Sequence, residues 1–309
     1  MLESQSFDSF TLELGRGAEI GLALSLATMM FSVALSLRPA SFNFLRSSPR
    51  AFLIGALGQI LALPALTVAV CMLILPSPSI ALGMILVACC PGGNVSNILV
   101  LLARGNVPLS VSLTATSSLV AAFITPMAIL FWTSLYSPTA NLLNQISFDA
   151  WTFLLQAALV LAFPLLLGIA CNMYLSRLAN AIRRPLVLLS TVVLFALMIS
   201  ACAKYWDDIA LIGIGLISLV VLHNALAFAL GNGLARLGGV DIDERRALTY
   251  EVGIQNAGLA VVILLTQLDG LGGAAVVAGL WGIWHIIAGL ILVVVFRLAD
   301  RFSMCLNES

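Results

Sequence analysis

Glu251 is a carboxylate in the middle of an otherwise apolar stretch, LTYEVGIQNAGLAVVILLTQL, that is long enough to cross a membrane. An acidic side chain at the centre of a bilayer costs roughly 2.5 to 3.5 kcal/mol, so it indicates a proton relay, a cation site or a buried ion pair. No basic residue lies within one helical turn of it, which argues against a local pair. The neighbouring Gly253, Gln255, Asn256 and Gly258 loosen a helix and supply oxygen atoms. This pattern favours cation coordination at a broken helix.

A second apolar segment, SIALGMILVACCPGGNVSNILVLLAR, is interrupted by Pro-Gly-Gly-Asn at 91–94. Proline removes a backbone donor and two glycines relax the chain, so we expect the helix to unwind at mid-membrane. Such a kink by itself usually serves packing or flexibility. The carboxylate in one break, and Asn94, Ser96 and Asn97 at the other, favour a binding site instead. Broken helices five spans apart are typical of transporters built from inverted repeats.

The elements that hold these residues are predicted to be membrane-spanning helices. Of the 309 residues 61% are hydrophobic and 9% are charged, and the mean hydropathy is +1.11. These values predict an all-α polytopic membrane protein, with a single transmembrane domain over residues 1–309. The six cysteines are expected to be small packing residues and not a disulfide framework. Polar punctuation divides the chain into nine spans at roughly 18–38, 50–75, 79–104, 107–134, 148–175, 184–204, 207–236, 243–268 and 272–299.

The basic residues are distributed unevenly between the two sides of these spans. Alternate connections hold 12 of the 14 lysines and arginines, whereas the opposite side holds only Arg16 and Lys204. The connections at 76–78 and 137–147 and the turn at Asp269 have none. By the positive-inside rule, the N-terminus is predicted to be outside and the C-terminus in the cytoplasm.

Two pairs of longer motifs carry a family resemblance. The segments CCPGGNVSN and LLARGNVPLSVSLTATSS, together with EVGIQNAGLA and WGIWH, resemble the bile acid:sodium symporter family of animal, bacterial and plastid carriers. The resemblance runs from about Ala18 onward and implies a core domain and a panel domain. The core would hold roughly 50–134 and 207–299, and the panel roughly 18–38 and 148–204. The resemblance also implies that the chain has nine of the ten spans, without the first, as the animal carriers do, and we expect it in the inner membrane of a bacterium.

Carried over by motif, the resemblance implies two sodium sites where the broken helices cross. Sodium is a hard cation that prefers oxygen, and Ser110 and Thr114, four residues apart, project from one helical face. Without the motif, these two hydroxyls would be expected to bond to the preceding helical turn. The implied first site consists of Ser96, Asn97, Ser110, Thr114 and Glu251. The implied second site consists of Gln59, Glu251, the carbonyls of Val252 and Ile254, and Gln255.

The substrate pocket beside the crossing is expected to be lined by Asn94, Asn256 and His285. Bacterial relatives that bind bile acids typically have threonine at the first position and asparagine after the histidine, where this chain has Asn94 and Ile286. One carboxylate with two sodium ions leaves a charge of +1, which an organic monocarboxylate would neutralise, and half-helix N-termini also attract anions. The predicted function is therefore sodium-coupled import of a small organic anion, either a bile acid or a smaller monocarboxylate. His223, in VVLHNALA, is predicted to form an interhelical hydrogen bond.

The sequence also bears on functional classes other than symport. The sequence has no GxSxG or HExxH motif and neither of its two histidines is near Glu251, which argues against an intramembrane enzyme. It has no phosphate-cradling loop for ATP-driven transport and no nucleic-acid-binding patch. A carrier of another coupling type stays open, with Glu251 as a proton carrier or with efflux of metalloid or organic anions through a related fold.

Overall fold

The computed structural model of the chain describes residues 16–35, 48–146, 148–204, 214–268 and 271–307, and in these ranges the regular structure is helical. The predicted all-α class is confirmed. The helices of the first half are α1 (Arg16–Ala34), α2 (Pro49–Leu57), a π-helical turn (Gly58–Ala62), α3 (Leu63–Ile74), α4 (Pro78–Cys89), α5 (Val95–Leu102), α6 (Val107–Ser134) and α7 (Ser137–Gln145). Those of the second half are α8 (Ala150–Tyr174), α9 (Ser176–Lys204), α10 (Ile214–Leu237), α11 (Ile242–Gly253), α12 (Ala257–Gln267) and α13 (Gly272–Asn307).

Several of these helices have the length and composition of membrane spans. In the described ranges, five continuous helical segments qualify, and α1, α4 and α12 contain shorter apolar helices. Large apolar side chains such as Leu73 and Phe163 are exposed on their outer surfaces, where lipid would solvate them. The chain is therefore an integral membrane protein. The five segments are Pro49–Ile74, Val107–Ser134, Ala150–Tyr174, Ile214–Leu237 and Gly272–Phe302.

Both predicted helix breaks are present, and they lie against each other. The linker between α4 and α5 runs antiparallel to the linker between α11 and α12, with a bridge between Gly92 and Gln255. The amide of Gly93 donates to the carbonyl of Ile254 at 3.2 Å, and the amide of Asn256 donates to the carbonyl of Pro91 at 2.8 Å. Backbone groups released from the helices thus find partners inside the protein, as the hydrocarbon region requires.

The packing groups the helices around this crossing. Helices α8 and α9 pack on α1, while α11 packs on α10, and α13 packs on both α4 and α12. The buried aromatic side chains of Tyr250 and Trp281 belong to two of these helices, α11 and α13. The crossing is thereby enclosed by helices from both halves of the chain.

The structure differs from the sequence-based expectations at three places. The connection at 137–147 was expected to lack regular structure, but it contains α7, because Leu142 and Leu143 are buried on one side of it. The predicted span at 50–75 is helical but includes a π-helical turn at Gly58–Ala62. The helix that contains the predicted span at 184–204 begins earlier, at Ser176, and Pro185 lies within it.

Some predictions concern residues outside the described ranges. These are the ends of two predicted spans at 36–38 and 207–213, the basic residues Arg38 and Arg46, and the turn at Asp269.

Candidate functional site

The carboxylate of Glu251 is fully buried in the last turn of α11 and is surrounded by hydroxyl groups. Ser96 on α5 and Ser110 on α6 each place Oγ 2.5 Å from Oε1 of Glu251. Thr114 on α6 places Oγ1 3.1 Å from Oε1 and 3.0 Å from Oε2. Each of these hydroxyls can donate to the carboxylate, so the buried oxygens of Glu251 have hydrogen-bond partners from two other helices.

Two hydroxyls in the first turns of α6, those of Ser110 and Thr114, point toward Glu251. The side chain of Asn106 caps the helix by accepting from the amide of Leu109 at 3.1 Å. Ser112, which faces another direction, bonds back to the carbonyl of Pro108 at 2.8 Å. Ser110 and Thr114 contact the carboxylate across the helix interface instead, which is the alternative that the family motif favoured.

Asn97 completes this cluster. Its Oδ1 lies 2.8 Å from Oγ of Ser110, which itself contacts Glu251. All five residues predicted for the first sodium site therefore lie in one chain of hydrogen-bond distances. Their donor atoms are carboxylate, hydroxyl and amide oxygens, which suit a hard cation such as sodium.

The charge of Glu251 has no basic counterpart nearby. Among the described residues, Glu251 and Arg246 are the charged side chains that are buried, and Arg246 is paired with Asp300. No lysine, arginine or histidine of the described chain forms a salt bridge with Glu251. Neutral hydroxyls satisfy its oxygens without cancelling its charge, so that charge can be balanced by a bound cation or by a proton.

The residues predicted for the second sodium site surround the end of α11. Gln59 lies in the π-helical turn, and its Nε2 donates to the carbonyl of Glu251 at 3.1 Å. Nε2 of Gln255 donates to the carbonyl of Val252 at 2.9 Å, while its buried Oε1 has no hydrogen-bond partner in the described chain. The carbonyl of Ile254 accepts from Gly93 in the opposite linker. Hydrogen bonds therefore link Gln59, Gln255 and the backbone carbonyls at the end of α11, and the amide oxygen of Gln255 is left without a partner in the described chain.

Gly92 allows the two breaks to approach this closely. A Cβ atom at this position would lie 2.8 Å from Nε2 of Gln59 and 3.0 Å from Oε2 of Glu251. Any side chain here would displace one of the two, so glycine is required by the approach of the α4–α5 linker to the carboxylate.

The three residues predicted to line a substrate pocket lie in different surroundings in the described chain. Asn94 is exposed and lines a cavity of about 360 Å³ beside α1 and α9. Asn256 caps α12 by accepting from the amide of Leu259 at 3.0 Å. His285 is buried, with Nδ1 2.5 Å from the carbonyl of Trp281 one turn earlier. Neither of these two is among the described residues that line the cavity of Asn94.

Two adjacent polar residues on α10 form hydrogen bonds with other helices. His223 is buried and its Nε2 lies 2.7 Å from Oγ1 of Thr67 on α3, which confirms the predicted interhelical bond. Asn224, which was not among the predicted site residues, donates to the carbonyl of Gly253 at 2.8 Å. It thereby satisfies a carbonyl at the unwound end of α11. The His-Asn pair in an otherwise apolar segment was the available signal for it.

Two arginines bind the C-terminal end of α5. In the sequence they were visible only as basic residues of predicted connections. Nη1 of Arg246 donates to the carbonyl of Ala103 at 2.9 Å, and its guanidinium also binds the carboxylate of Asp300. Nε of Arg297 donates to the carbonyl of Leu102 at 2.7 Å. Two arginines thus bind carbonyls at the end of α5, the helix that carries Ser96, and Asp300 holds one of them, so we call Arg246, Asp300 and Arg297 the α5 clamp.

The chain is similar in sequence to several sodium-dependent transporters. The family described as the sodium bile acid symporter family matches residues 23–225. The uncharacterized sodium-dependent transporter YocS of Bacillus subtilis is 30% identical over 271 residues, which are 88% of this chain and 81% of that protein. The probable chloroplastic sodium/metabolite cotransporter BASS1 of Arabidopsis thaliana is 32% identical over 282 residues, 90% of this chain and 66% of that protein.

More distant animal relatives match as well. The sodium/bile acid cotransporter 4 of Mus musculus is 26% identical over 252 residues, which are 81% of this chain and 57% of the mouse protein. The chain thus spans about two thirds or less of its plant and mouse relatives. Since the family match extends over more than half of the 309 residues, this chain belongs to the sodium bile acid symporter family.

Proposed function

We propose that the protein is a sodium-coupled symporter that imports a small organic anion by alternating access. The observation that carries this proposal is the buried carboxylate of Glu251, which three hydroxyls contact and no basic residue of the described chain neutralises. A transported cation supplies the missing charge. The family membership and the sodium dependence in the relatives' names support sodium as that cation.

The proposed first sodium site takes Ser96, Asn97, Ser110, Thr114 and Glu251 as ligands. The proposed second site takes Gln59, Gln255, the carbonyls of Val252 and Ile254, and Glu251. Glu251 is shared, so the two ions are coupled through one charge. The free Oε1 of Gln255 supports the second site, because a buried amide oxygen without a donor is expected to have another partner.

We propose a nine-span inverted-repeat architecture with a panel and a core. The packing of α8 and α9 on α1 supports a panel at roughly 18–38 and 148–204, separate from a core at roughly 50–134 and 207–299 that contains both breaks. The proposed location is a bacterial inner membrane, with the N-terminus outside. Movement of the panel relative to the core would open the site to each side in turn.

The proposed cargo is an organic anion, either a bile acid or a smaller monocarboxylate. Glu251 with two sodium ions carries +1, and an anion beside the crossing would neutralise it. The N-terminus of α5 adds the positive end of a helix dipole at the same place.

This function is tested by the sodium dependence of uptake in proteoliposomes. Thr114→Ala and Asn97→Ala each remove one ligand oxygen, so the sodium concentration for half-maximal uptake should rise about tenfold, the effect of losing about 1.4 kcal/mol. Ser112→Ala is the matched control, because Ser112 is buried on the same helix but bonds to Pro108. Uptake by the unaltered protein that follows a proton gradient and ignores sodium would reject symport with sodium and favour Glu251 as a proton carrier.

A further inference from the structure

The cavity beside Asn94 lies between α1, α9 and the start of α5, close to the proposed sodium sites. Its volume of about 360 Å³ is in the range that accommodates a small organic ligand. Its walls combine apolar side chains with hydrogen-bond donors, and no acidic residue is among the described residues that line it. The described lining residues are Ser32, Val33, Asn94, Arg183, Arg184, Val187 and Leu188.

One wall of this cavity is basic and is formed by α9. Arg183 and Arg184 are followed four residues later by Val187 and Leu188, so each guanidinium shares a helical face with an apolar side chain. Neither arginine forms a salt bridge with a carboxylate of the described chain. Both arginines are at least partly accessible, which leaves their donors available to a ligand in the cavity.

The wall across the cavity belongs to the crossing. Asn94 is the N-cap residue of α5, and its side chain is exposed and does not cap the helix. Ser96 and Asn97, which follow on the same helix, belong to the Glu251 cluster. An acidic group near Asn94 would therefore lie close to the sodium ions and to the positive end of the α5 dipole.

We propose that Arg183 and Arg184 bind a second acidic group of the substrate, so that the preferred cargo is a dicarboxylate with an apolar middle. This inference rests on the proposed function. The charge of +1 at the sodium sites accounts for one acidic group only. The arginines account for the other, because a guanidinium binds a carboxylate through two parallel hydrogen bonds. Val33, Val187 and Leu188 then contact the chain between the two groups.

The test compares matched carboxylates on purified protein with and without sodium. The probes are linear dicarboxylates from succinate to suberate, and monocarboxylates of the same chain lengths from butyrate to octanoate. In the unaltered protein, one or more dicarboxylates should bind at least tenfold more tightly than the matched monocarboxylate, and only with sodium. Arg183→Gln and Arg184→Gln should each weaken dicarboxylate binding about tenfold while leaving monocarboxylate and sodium binding unchanged.

The control variant is Arg177→Gln, which removes an exposed arginine of α9 that does not line the cavity. It should bind both kinds of probe as the unaltered protein does. Equal affinity for both probes, with no effect of Arg183→Gln or Arg184→Gln, would overturn the dicarboxylate inference and leave symport standing. Carboxylate binding that is independent of sodium would instead reject the proposed function.

A lipid headgroup presents the same anionic chemistry, so binding is also measured in nanodiscs with and without phosphatidylglycerol. If the arginine variants lose binding of this lipid and keep full dicarboxylate affinity, the two arginines bind lipid phosphate and the inference is wrong. Dicarboxylate selectivity that persists without the anionic lipid supports it.

Discussion

Among single residues, Glu251 decides how the proposed ions are held. Its charge is buried against Ser96, Ser110 and Thr114, and the change Glu251→Gln keeps its shape while removing that charge. Two cations without a counter-charge at low dielectric should bind weakly, so sodium-driven uptake should be lost. Substrate binding should weaken with it, because the two are linked. The measurements are uptake and the thermal stabilisation that sodium produces with substrate present.

The Gln variant should fold without sodium about as well as the unaltered protein, because a neutral amide is less costly to bury than an unpaired carboxylate. Its melting temperature in sodium-free buffer is the control. Normal sodium dependence in this variant would mean that the carboxylate is structural. Retained substrate exchange that no longer responds to pH would indicate proton coupling.

Among the elements, α5 depends on contacts from three other helices, α6, α11 and α13. At the C-terminal end of α5, the α5 clamp donates hydrogen bonds to the carbonyls of Leu102 and Ala103. Near the start of α5, Ser96 contacts Glu251 and Asn97 contacts Ser110. The clamp therefore holds the helix that presents two of the proposed sodium ligands.

The change Arg246→Met removes the clamp's buried member, which is 5% exposed, and leaves Asp300 without its main partner. Unfolding free energy should fall by about 2 to 3 kcal/mol, less than for a fully buried pair because Asp300 is partly exposed. Sodium affinity should fall as well, since α5 is released. Denaturant unfolding in detergent measures the first effect. Arg104→Gln is the control: Arg104 is 63% exposed and 4.0 Å from Asp300, so its loss should cost under about 0.5 kcal/mol.

For the whole molecule, the arginines of several predicted cytoplasmic connections come together at one end. Arg104 and Arg246 both approach Asp300, Arg297 binds the end of α5, and Arg50 lies next to Gly239. A common side for these connections agrees with the positive-inside assignment. The packing thus links the charge pattern to a single surface.

We accordingly predict that a reporter fused after Ser309 is cytoplasmic and that a tag placed before Leu2 is accessible from outside the cell. The reason is the concentration of 12 of the 14 basic residues on one side. Labelling of intact cells with an impermeant reagent, compared with permeabilised cells, checks both ends. Finding both termini on the same side would contradict the nine-span arrangement.

The sequence by itself determined the membrane class and the two helix breaks, and it located Glu251 at the second of them. These features are local or repeat at a fixed spacing: long apolar runs, Pro-Gly-Gly at 91–93, and two hydroxyls four residues apart on one helix. The residues of the first sodium site could be named because the family motifs carry them. Their convergence on one carboxylate is what the structure adds.

Other features were decided only by the tertiary structure. Arg246 could not be distinguished from a connection charge until Asp300, 54 residues away, was packed against it. Asn94 lines the same cavity as Arg183 and Arg184, while His285 bonds to its own helix. Both Asn94 and His285 were expected to line the substrate pocket. Partners that are distant in the chain decide which buried polar group is satisfied, and spacing along one segment carries no information about them.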